Sequence, residues 1–159
     1  MMNRRVVVTG LGMVSPIGND VASSWQAALE GKSGIDRITA FDASAFGCQI
    51  AGEVKDFDAG KYLGVKEVRR FARFVHFGVS AGIMALEDSG LEITDEFAPE
   101  CGCAIGSGIG GLPLICTNNE ACNERGPRRI SPFLIPGCII NMTSGQLAIM
   151  KNLKGPNIA

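Results

Sequence analysis

The feature that most constrains the fold of this chain is a long run of helical periodicity over residues 66–89. Apolar side chains recur there at intervals of three and four residues, at Val68, Phe71, Val75, Val79, Ile83 and Leu86. The first half carries charge on the opposite face, whereas the second half is apolar or small on nearly every side, and Gly90 ends the pattern. Such a helix is buried by close neighbours on several sides, so the pattern predicts a layered protein rather than a two-element module.

Shorter patterns on both sides of this helix alternate between strand and helix. A β-branched run over 4–9 predicts a buried strand that stops at Gly10, and Asn19-Asp20 predicts the cap of a helix over 21–30. The other predicted elements are turns over 32–47, strands over 49–54 and 102–107, a polar and less regular stretch through Arg129, a loop bracketed by Pro132 and Pro136, a helix over 137–151, and the start of a strand over 157–159. This alternation favours an α/β fold with a partly parallel sheet.

Composition and charge exclude several classes of function. The 159 residues are 46% hydrophobic and 19% charged, which is typical of one soluble globular domain. Fifteen basic and sixteen acidic residues give a net charge of -1, so no overall field attracts nucleic acid. No apolar run approaches the ~18–20 residues of a membrane helix, and Thr9 and Gly10 interrupt the N-terminal run too early for a signal peptide. We expect a cytoplasmic protein that binds neither nucleic acid nor a membrane.

The cysteines and the single histidine do not have the spacing of a metal site or a disulfide framework. We interpret the six cysteines as reduced thiols, and Cys101 and Cys103 are one residue apart rather than two. His76 lies on the long helix, where a core or half-buried histidine is favoured. Cys138 is the best local candidate for a reactive thiol because it follows Pro136-Gly137 near a predicted helix N-terminus, yet a structural thiol is favoured there too. We expect no metal and no cofactor.

Two glycine clusters and two basic clusters carry further hypotheses. Residues 10–15 begin like a dinucleotide-binding loop, but Ser15 replaces the third glycine and Pro16 interrupts the helix start, which favours a tight turn. Residues 106–111 lack the Gly-Lys-Ser/Thr of a P-loop and indicate only close packing. The basic clusters are either solvated faces or a joint patch for an acidic partner, and their members are Lys66, Arg69, Arg70, Arg125, Arg128 and Arg129.

Taken in order, these motifs resemble the β-ketoacyl-acyl-carrier-protein synthase II family along essentially the whole chain. The matching segments are residues 4–12, 15–18, 31–35, 51–57, 88–91, 105–111, 126–133, 141–142 and 155–156. The ordered set is highly specific although no single member is. The resemblance implies the thiolase-like α/β fold, with residues 1–159 forming the N-terminal part of the synthase domain, in the first half of a five-layered α-β-α-β-α subunit. It also implies a homodimer.

The reaction that the resemblance implies is the condensation step of fatty-acid elongation. An active-site cysteine takes the acyl group from acyl-loaded carrier protein as a thioester, and two histidines assist the decarboxylation of malonyl-loaded carrier protein. In the family the cysteine follows the Gly-Pro turn that matches Gly155-Pro156 by a few residues, and this chain ends at Ala159. His76 matches neither histidine. We therefore assign no catalytic residue, and we expect the chain alone to be inactive.

Other positions of the family do have counterparts in this chain. Ile109 matches the residue that gates the acyl-chain pocket, and its Gly-Ile-Gly-Gly setting favours type II over type I synthases. Phe133 matches a loop that lines the pocket across the dimer interface. The positions that match carrier-protein docking residues are Lys66, Arg69, Arg70, Arg128 and Arg129. The alternatives that stay open are a ketosynthase of a polyketide-type pathway and a non-catalytic module that binds a carrier protein or a nucleotide.

Overall fold

The computed structural model describes residues 5–159 and divides them into two compact units. The first unit comprises the described residues up to Asp58 together with Met84–Gly90. The second comprises Ala59–Ile83 and Leu91–Ala159. Within residues 5–159, no helix combines the length and the apolar character needed to cross a membrane.

The described part of the first unit contains one whole helix, one antiparallel strand pair and the C-terminal end of a helix that begins in the second unit. Helix α1 spans Val21–Leu29 and is capped by Asp20, whose Oδ1 accepts a 2.7 Å hydrogen bond from the Ser23 N–H. This confirms the predicted helix and its cap. Strand β1, Ile35–Arg37, pairs with strand β2, Ile50–Gly52. β2 confirms the strand predicted over 49–54, whereas β1 lies in the turn-rich stretch over 32–47, for which no strand was predicted.

The predicted N-terminal strand is wrong for the residues that the structure describes, and Arg4 lies outside them. Residues 5–9 have no strand geometry, and no described strand pairs with them, so Val6 is 93% exposed. Gly10 then packs against helix α3, Arg73–Ser89, where a β carbon would overlap the Ala85 carbonyl oxygen. The Leu11 N–H donates to the Asp88 carboxylate at 2.8 Å. A carboxylate at this amide disfavours a phosphate there, so the glycine serves close packing.

The long helix predicted over 66–89 is interrupted. It consists of helix α2, Val65–Arg70, and helix α3, with Phe71 in an extended conformation between them. The Ala72 N–H donates to the Gly137 carbonyl at 3.0 Å instead of to a carbonyl of its own helix. This long-range bond is invisible in local periodicity, because neither proline nor glycine marks the break. The predicted end is confirmed, since Gly90 follows α3 with a φ of +62°.

Helix α3 provides the core of the second unit. Val75 and Val79 are 0% exposed, and Ile83 and Leu147 are also buried. Gly78 and Gly82 lack side chains where α3 meets helix α6, Met142–Lys151, and a β carbon on either would overlap Thr143 or Leu147. The prediction of a helix with close neighbours is therefore confirmed.

The rest of the second unit includes a short parallel strand pair. Strand β3, Cys103–Ala104, pairs with β4, Asn157–Ile158, which confirms both predicted strands and the parallel component. The stretch predicted to be irregular contains helix α4, Leu112–Arg125, whose polar sequence buries only Asn118 fully. The loop around Pro136 contains helix α5, Leu134–Cys138, and a proline is tolerated there in a first helical turn. The helix predicted over 137–151 is confirmed only over α6. Single 3-10 turns cover Ala59–Lys61, Ala98–Glu100 and Pro127–Arg129.

Candidate acyl-chain and carrier-protein site

The second glycine cluster forms a tight turn between β3 and α4. Gly110 has a φ of +80°, and the Gly111 N–H donates to the Cys138 carbonyl at 2.9 Å. A β carbon on Gly111 would lie 2.7 Å from the Ala72 β carbon and 2.8 Å from the Cys138 α carbon. Only glycines allow the turn to approach α5 this closely, and the turn leaves the Ile109 side chain 70% exposed. The structure thus presents Ile109 as a free apolar side chain on a rigid turn.

Cys138 packs against this turn, and its environment is that of a structural thiol. It is buried, and its Sγ donates a weak hydrogen bond to the Ile135 carbonyl at 3.6 Å. The prediction that it lies near a helix N-terminus is wrong, because it is the last residue of α5. The partial negative charge at a helix C-terminus does not favour a thiolate. All six cysteines are free, and burial raises the pKa of the Cys103 thiol.

An apolar cavity of about 470 Å³ opens beside the glycine turn. Its walls come from the start of α3, the glycine turn and the first half of α4, and its lining residues are Ala72, Arg73, Phe74, Gly110, Gly111, Pro113, Leu114 and Thr117. Neither Ile109 nor Phe133 lines it. The prediction from sequence missed these residues, because α4 itself was missed.

Arg70 and Phe133, which were predicted to serve different parts of the site, are in contact. The Arg70 Cζ lies 4.5 Å from the centre of the Phe133 ring. Two backbone features hold the same segments together: the bond from the Ala72 N–H to Gly137, and the bare Gly137 α carbon, where a β carbon would lie 2.5 Å from the Arg70 carbonyl oxygen. The end of α2 and the start of α5 therefore form one packed junction.

The basic positions predicted for carrier docking are all exposed. Within residues 5–159 none of them forms an ion pair, and they are Lys66, Arg69, Arg70, Arg128 and Arg129. Arg125, which the sequence grouped with them, pairs with Glu124 at 3.8 Å. Cations without an ion-pair partner keep their capacity to bind carboxylates and phosphates from another molecule.

Asn118 anchors the second basic cluster and was missed in the sequence. It is buried on α4, where its Nδ2 donates to the Leu114 carbonyl at 2.9 Å and its Oδ1 accepts from the Ser131 N–H at 2.7 Å. The Ser131 Oγ in turn accepts from the Phe133 N–H at 3.1 Å. These bonds fix the segment between the 3-10 turn Pro127–Arg129 and Phe133. The one signal of this role in the sequence was the position of Asn118 within a helix, because a polar side chain that is buried in a helix needs a hydrogen-bond partner.

The turn at Gly155-Pro156 is clamped onto β3. The Gly155 N–H donates to the Cys101 carbonyl at 2.9 Å, and the Cys103 N–H donates to the Pro156 carbonyl at 2.8 Å. Asn157 adds a bond from its Nδ2 to the Ser144 carbonyl of α6 at 3.1 Å. The direction of β4 is therefore set from both the strand side and the helix side.

The interpretation of His76 as a half-buried histidine is confirmed. Burial lowers its pKa below the ordinary value of 6.5, while hydrogen bonds to the backbone of Val68 and Phe71 act in the opposite direction. Its Nε2 is buried without a partner in the described structure. Among residues 5–159, no group of three or more histidine, cysteine or acidic side chains is arranged to hold a metal ion.

Comparison with known proteins identifies the family to which this chain belongs. Residues 3–159 match the family described as "Beta-ketoacyl synthase, N-terminal domain", so the chain belongs to the β-ketoacyl synthases. The solved "ishigamide ketosynthase/chain length factor" is similar with a TM-score of 0.78 and 30% identity, over 98% of this chain and 38% of that one. The predicted thiolase-like α/β fold is thereby confirmed.

The predicted resemblance to the type II synthases is also confirmed. The chain is 57% identical to the 3-oxoacyl-[acyl-carrier-protein] synthase 2 of Vibrio harveyi, over 100% of this chain and 38% of that protein. It is 57% identical to the synthase of the same name from Coxiella burnetii, with the same coverage. The chain therefore spans about 38% of the length of these curated relatives.

Proposed function

We propose that this chain is the N-terminal part of a β-ketoacyl-ACP synthase that elongates fatty acids by condensing acyl-loaded with malonyl-loaded carrier protein. The observation that carries the proposal is the convergence of an exposed Ile109, the Arg70–Phe133 contact and unpaired cations in one unit of a chain 57% identical to a type II synthase. An apolar contact for an alkyl chain beside cations for an acidic protein is what a carrier-borne acyl substrate requires.

The reacting groups of this proposal lie outside the chain. A cysteine thiolate attacks the acyl-carrier thioester and releases the carrier thiol. Loss of CO2 from the malonyl group then yields the carbanion that attacks the new thioester, and the carbon–sulfur bond to the cysteine breaks to release ketoacyl-carrier protein and the cysteine thiolate. Cys138 is not that nucleophile, because its thiol is buried and bonded to a backbone carbonyl. We assign residues 1–159 the acyl-pocket side chains Ile109 and Phe133, with no bound cofactor.

We propose that the acidic partner is acyl carrier protein, and that it docks on Lys66, Arg69, Arg70, Arg128 and Arg129. Their exposure and lack of ion pairs in the described structure support this. A solved structure that is similar to this chain, with a TM-score of 0.78 and 25% identity, is of a type II PKS acyl-carrier protein in complex with its ketosynthase.

We further propose a cytoplasmic homodimer. The segment around α5 supports an interface, because Phe133, Ile135 and Ile139 are 41%, 61% and 38% exposed in close succession. An exposed apolar group of this kind marks an association surface. Free cysteines are consistent with a reducing compartment.

The test uses a hybrid synthase, in which residues 1–159 are joined to the part of the Vibrio harveyi synthase that the chain does not match. Reversing the charge of Lys66 and Arg69 to glutamate is expected to raise the KM for acyl-carrier protein by about tenfold, since two rim charges are changed. The KM for a small acyl thioester is expected to stay within about twofold, because that substrate does not touch the docking surface.

The control reverses Lys32 and Lys55, two exposed lysines of the first unit that pair with Glu30 and Asp36. Equal effects on both substrates, or an equal effect of the control, would remove the docking assignment. A polyketide-type function predicts repeated condensation into poly-β-keto products instead of a single ketoacyl product. A non-catalytic module predicts carrier binding by residues 1–159 but no product from the hybrid.

A further inference from the structure

The junction between α2 and α5 joins a candidate docking residue to a candidate pocket residue. Arg70 is the last residue of α2, and Phe133 directly precedes α5. The Arg70 Cζ lies over the Phe133 ring at 4.5 Å from its centre, which is within the range of a cation–π contact. Three contacts therefore join the two segments: this cation–π contact, the Ala72–Gly137 hydrogen bond and the close approach of Gly137 to the Arg70 carbonyl.

The Arg70 guanidinium keeps its binding capacity. Its N–H groups point outward in the plane of the group, so a ring on one face leaves the edge free for a carboxylate or phosphate. Arg70 is exposed, and Phe133 is 41% exposed. An anion that binds this edge therefore restricts the orientation of the Arg70 guanidinium. The guanidinium in turn restricts the orientation of the Phe133 ring.

A second arginine–aromatic pair shows why the position of the first one matters. The Arg73 Cζ lies 5.1 Å from the centre of the Phe77 ring. Both residues belong to α3 and are one helical turn apart, so their contact joins no separate segments. The Arg70–Phe133 contact joins residues that lie far apart in sequence and on different elements.

We propose that Arg70 is a positioning residue for Phe133, and that it couples docking of the carrier protein to the shape of the acyl-chain pocket. The inference rests on the proposed function, in which Arg70 binds an acidic group of the carrier and Phe133 lines the pocket. Because coupling between two sites is reciprocal, a pocket that is filled by an acyl chain also holds Arg70 ready for the carrier.

The experiment separates the charge of Arg70 from its flat shape in the hybrid synthase. Arg70→Lys keeps the charge but loses the planar group, Phe133→Leu removes the ring, and the double variant closes a mutant cycle. Arg125→Lys is the matched control, since Arg125 is an exposed arginine at the end of α4 that belongs neither to the proposed docking set nor to the pocket. The readout is the ratio of kcat/KM for a long over a short acyl chain, both supplied as small thioesters without carrier protein.

We expect Arg70→Lys to change this chain-length ratio by about two- to fivefold, the factor that an exposed cation–π contact supplies. Arg125→Lys is expected to leave the ratio unchanged, and the double variant is expected to match Phe133→Leu. An unchanged ratio in Arg70→Lys, or effects that multiply in the double variant, overturns the coupling. If the unmodified hybrid forms no ketoacyl product, the proposed function fails instead, so the two failures are distinguishable.

Discussion

Apolar side chains are buried very differently in the two units. In the described part of the first unit, only Ala27 and Ala43 are buried apolar residues, and Val8 is 79% exposed. The second unit buries Val75 and Val79 completely. Every candidate site residue lies in the second unit. The comparison teaches that the site is assembled where the chain has its own core, whereas the first unit presents apolar surface that another protein surface must cover.

The largest expected difference concerns glycine replacement in the two units. Gly137→Val places a β carbon 2.5 Å from the Arg70 carbonyl oxygen and 2.7 Å from the Leu114 side chain. We expect a loss of about 2–3 kcal/mol in the free energy of unfolding, measured by urea denaturation. Gly47→Val in the first unit meets no atom within 4 Å and is expected to change stability by less than about 0.5 kcal/mol. Equal losses would contradict the close-packed junction.

A smaller difference is expected for truncation of matched valines. Val75 is 0% exposed in the second unit and Val6 is 93% exposed in the first. Val75→Ala is expected to cost about 2 kcal/mol of unfolding free energy, because it removes buried methyl groups and leaves a cavity. Val6→Ala is expected to stay within about 0.5 kcal/mol. A similar cost for the two in thermal or urea denaturation would remove the contrast between the units.

Self-association of the 159-residue chain tests the uncovered surface of the first unit. We expect the unmodified chain to associate, and we expect Val6→Ser with Val8→Ser to weaken the association constant by about tenfold, as measured by sedimentation. The control is Thr39→Ser, a conservative change at another exposed position of this unit. A wild-type chain that elutes as a clean, cooperatively unfolding monomer would show that this surface needs no cover.

The smallest expected effect is the pH dependence that His76 gives the second unit. Its pKa is lowered by burial, so the unfolded chain binds the proton first as the pH falls below 6.5. Stability is therefore highest above pH 6.5 and declines between 6.5 and the lower pKa of the folded state. Since the chain has one histidine, the two ring C–H resonances of its imidazole can be assigned without ambiguity, and their proton NMR titration measures the pKa directly.

His76→Gln is expected to flatten this part of the stability profile. The carboxyl groups of Glu30, Asp36 and Asp95 have pKa values lowered from the ordinary 4.5 of glutamate and 3.8 of aspartate. Their contribution to the pH dependence of stability therefore appears in a separate, more acidic range. A histidine that titrates at or above 6.5 would contradict its placement in the folded second unit.

The sequence predicted elements well wherever the signal was local. The Asp20 cap, the stop at Gly90 and the buried positions of α3 follow from side-chain chemistry within one or two turns. The failures share a cause, because each depended on a distant partner. The break at Phe71 is set by Gly137, and the 5–9 segment has no paired strand among the described residues.

The sequence predicted which residues belong to the candidate site but not how those residues contact one another. The resemblance selected Ile109, Phe133 and the basic residues, but nothing in the sequence placed Arg70 on the Phe133 ring. Helix α4 was missed because it is polar and buries a single side chain, Asn118. That asparagine fixes the segment that ends at Phe133, so the missed helix also concealed how the candidate pocket residue is held.

The most direct test of the account compares residues 1–159 alone with the hybrid synthase, using acyl- and malonyl-loaded carrier protein and mass spectrometry of the products. The account predicts ketoacyl product from the hybrid and none from the 159-residue chain, because the proposed function gives this chain an apolar contact and a docking surface but not the reacting thiol. Ketoacyl product from the chain alone, or a folded hybrid that forms none, would contradict it.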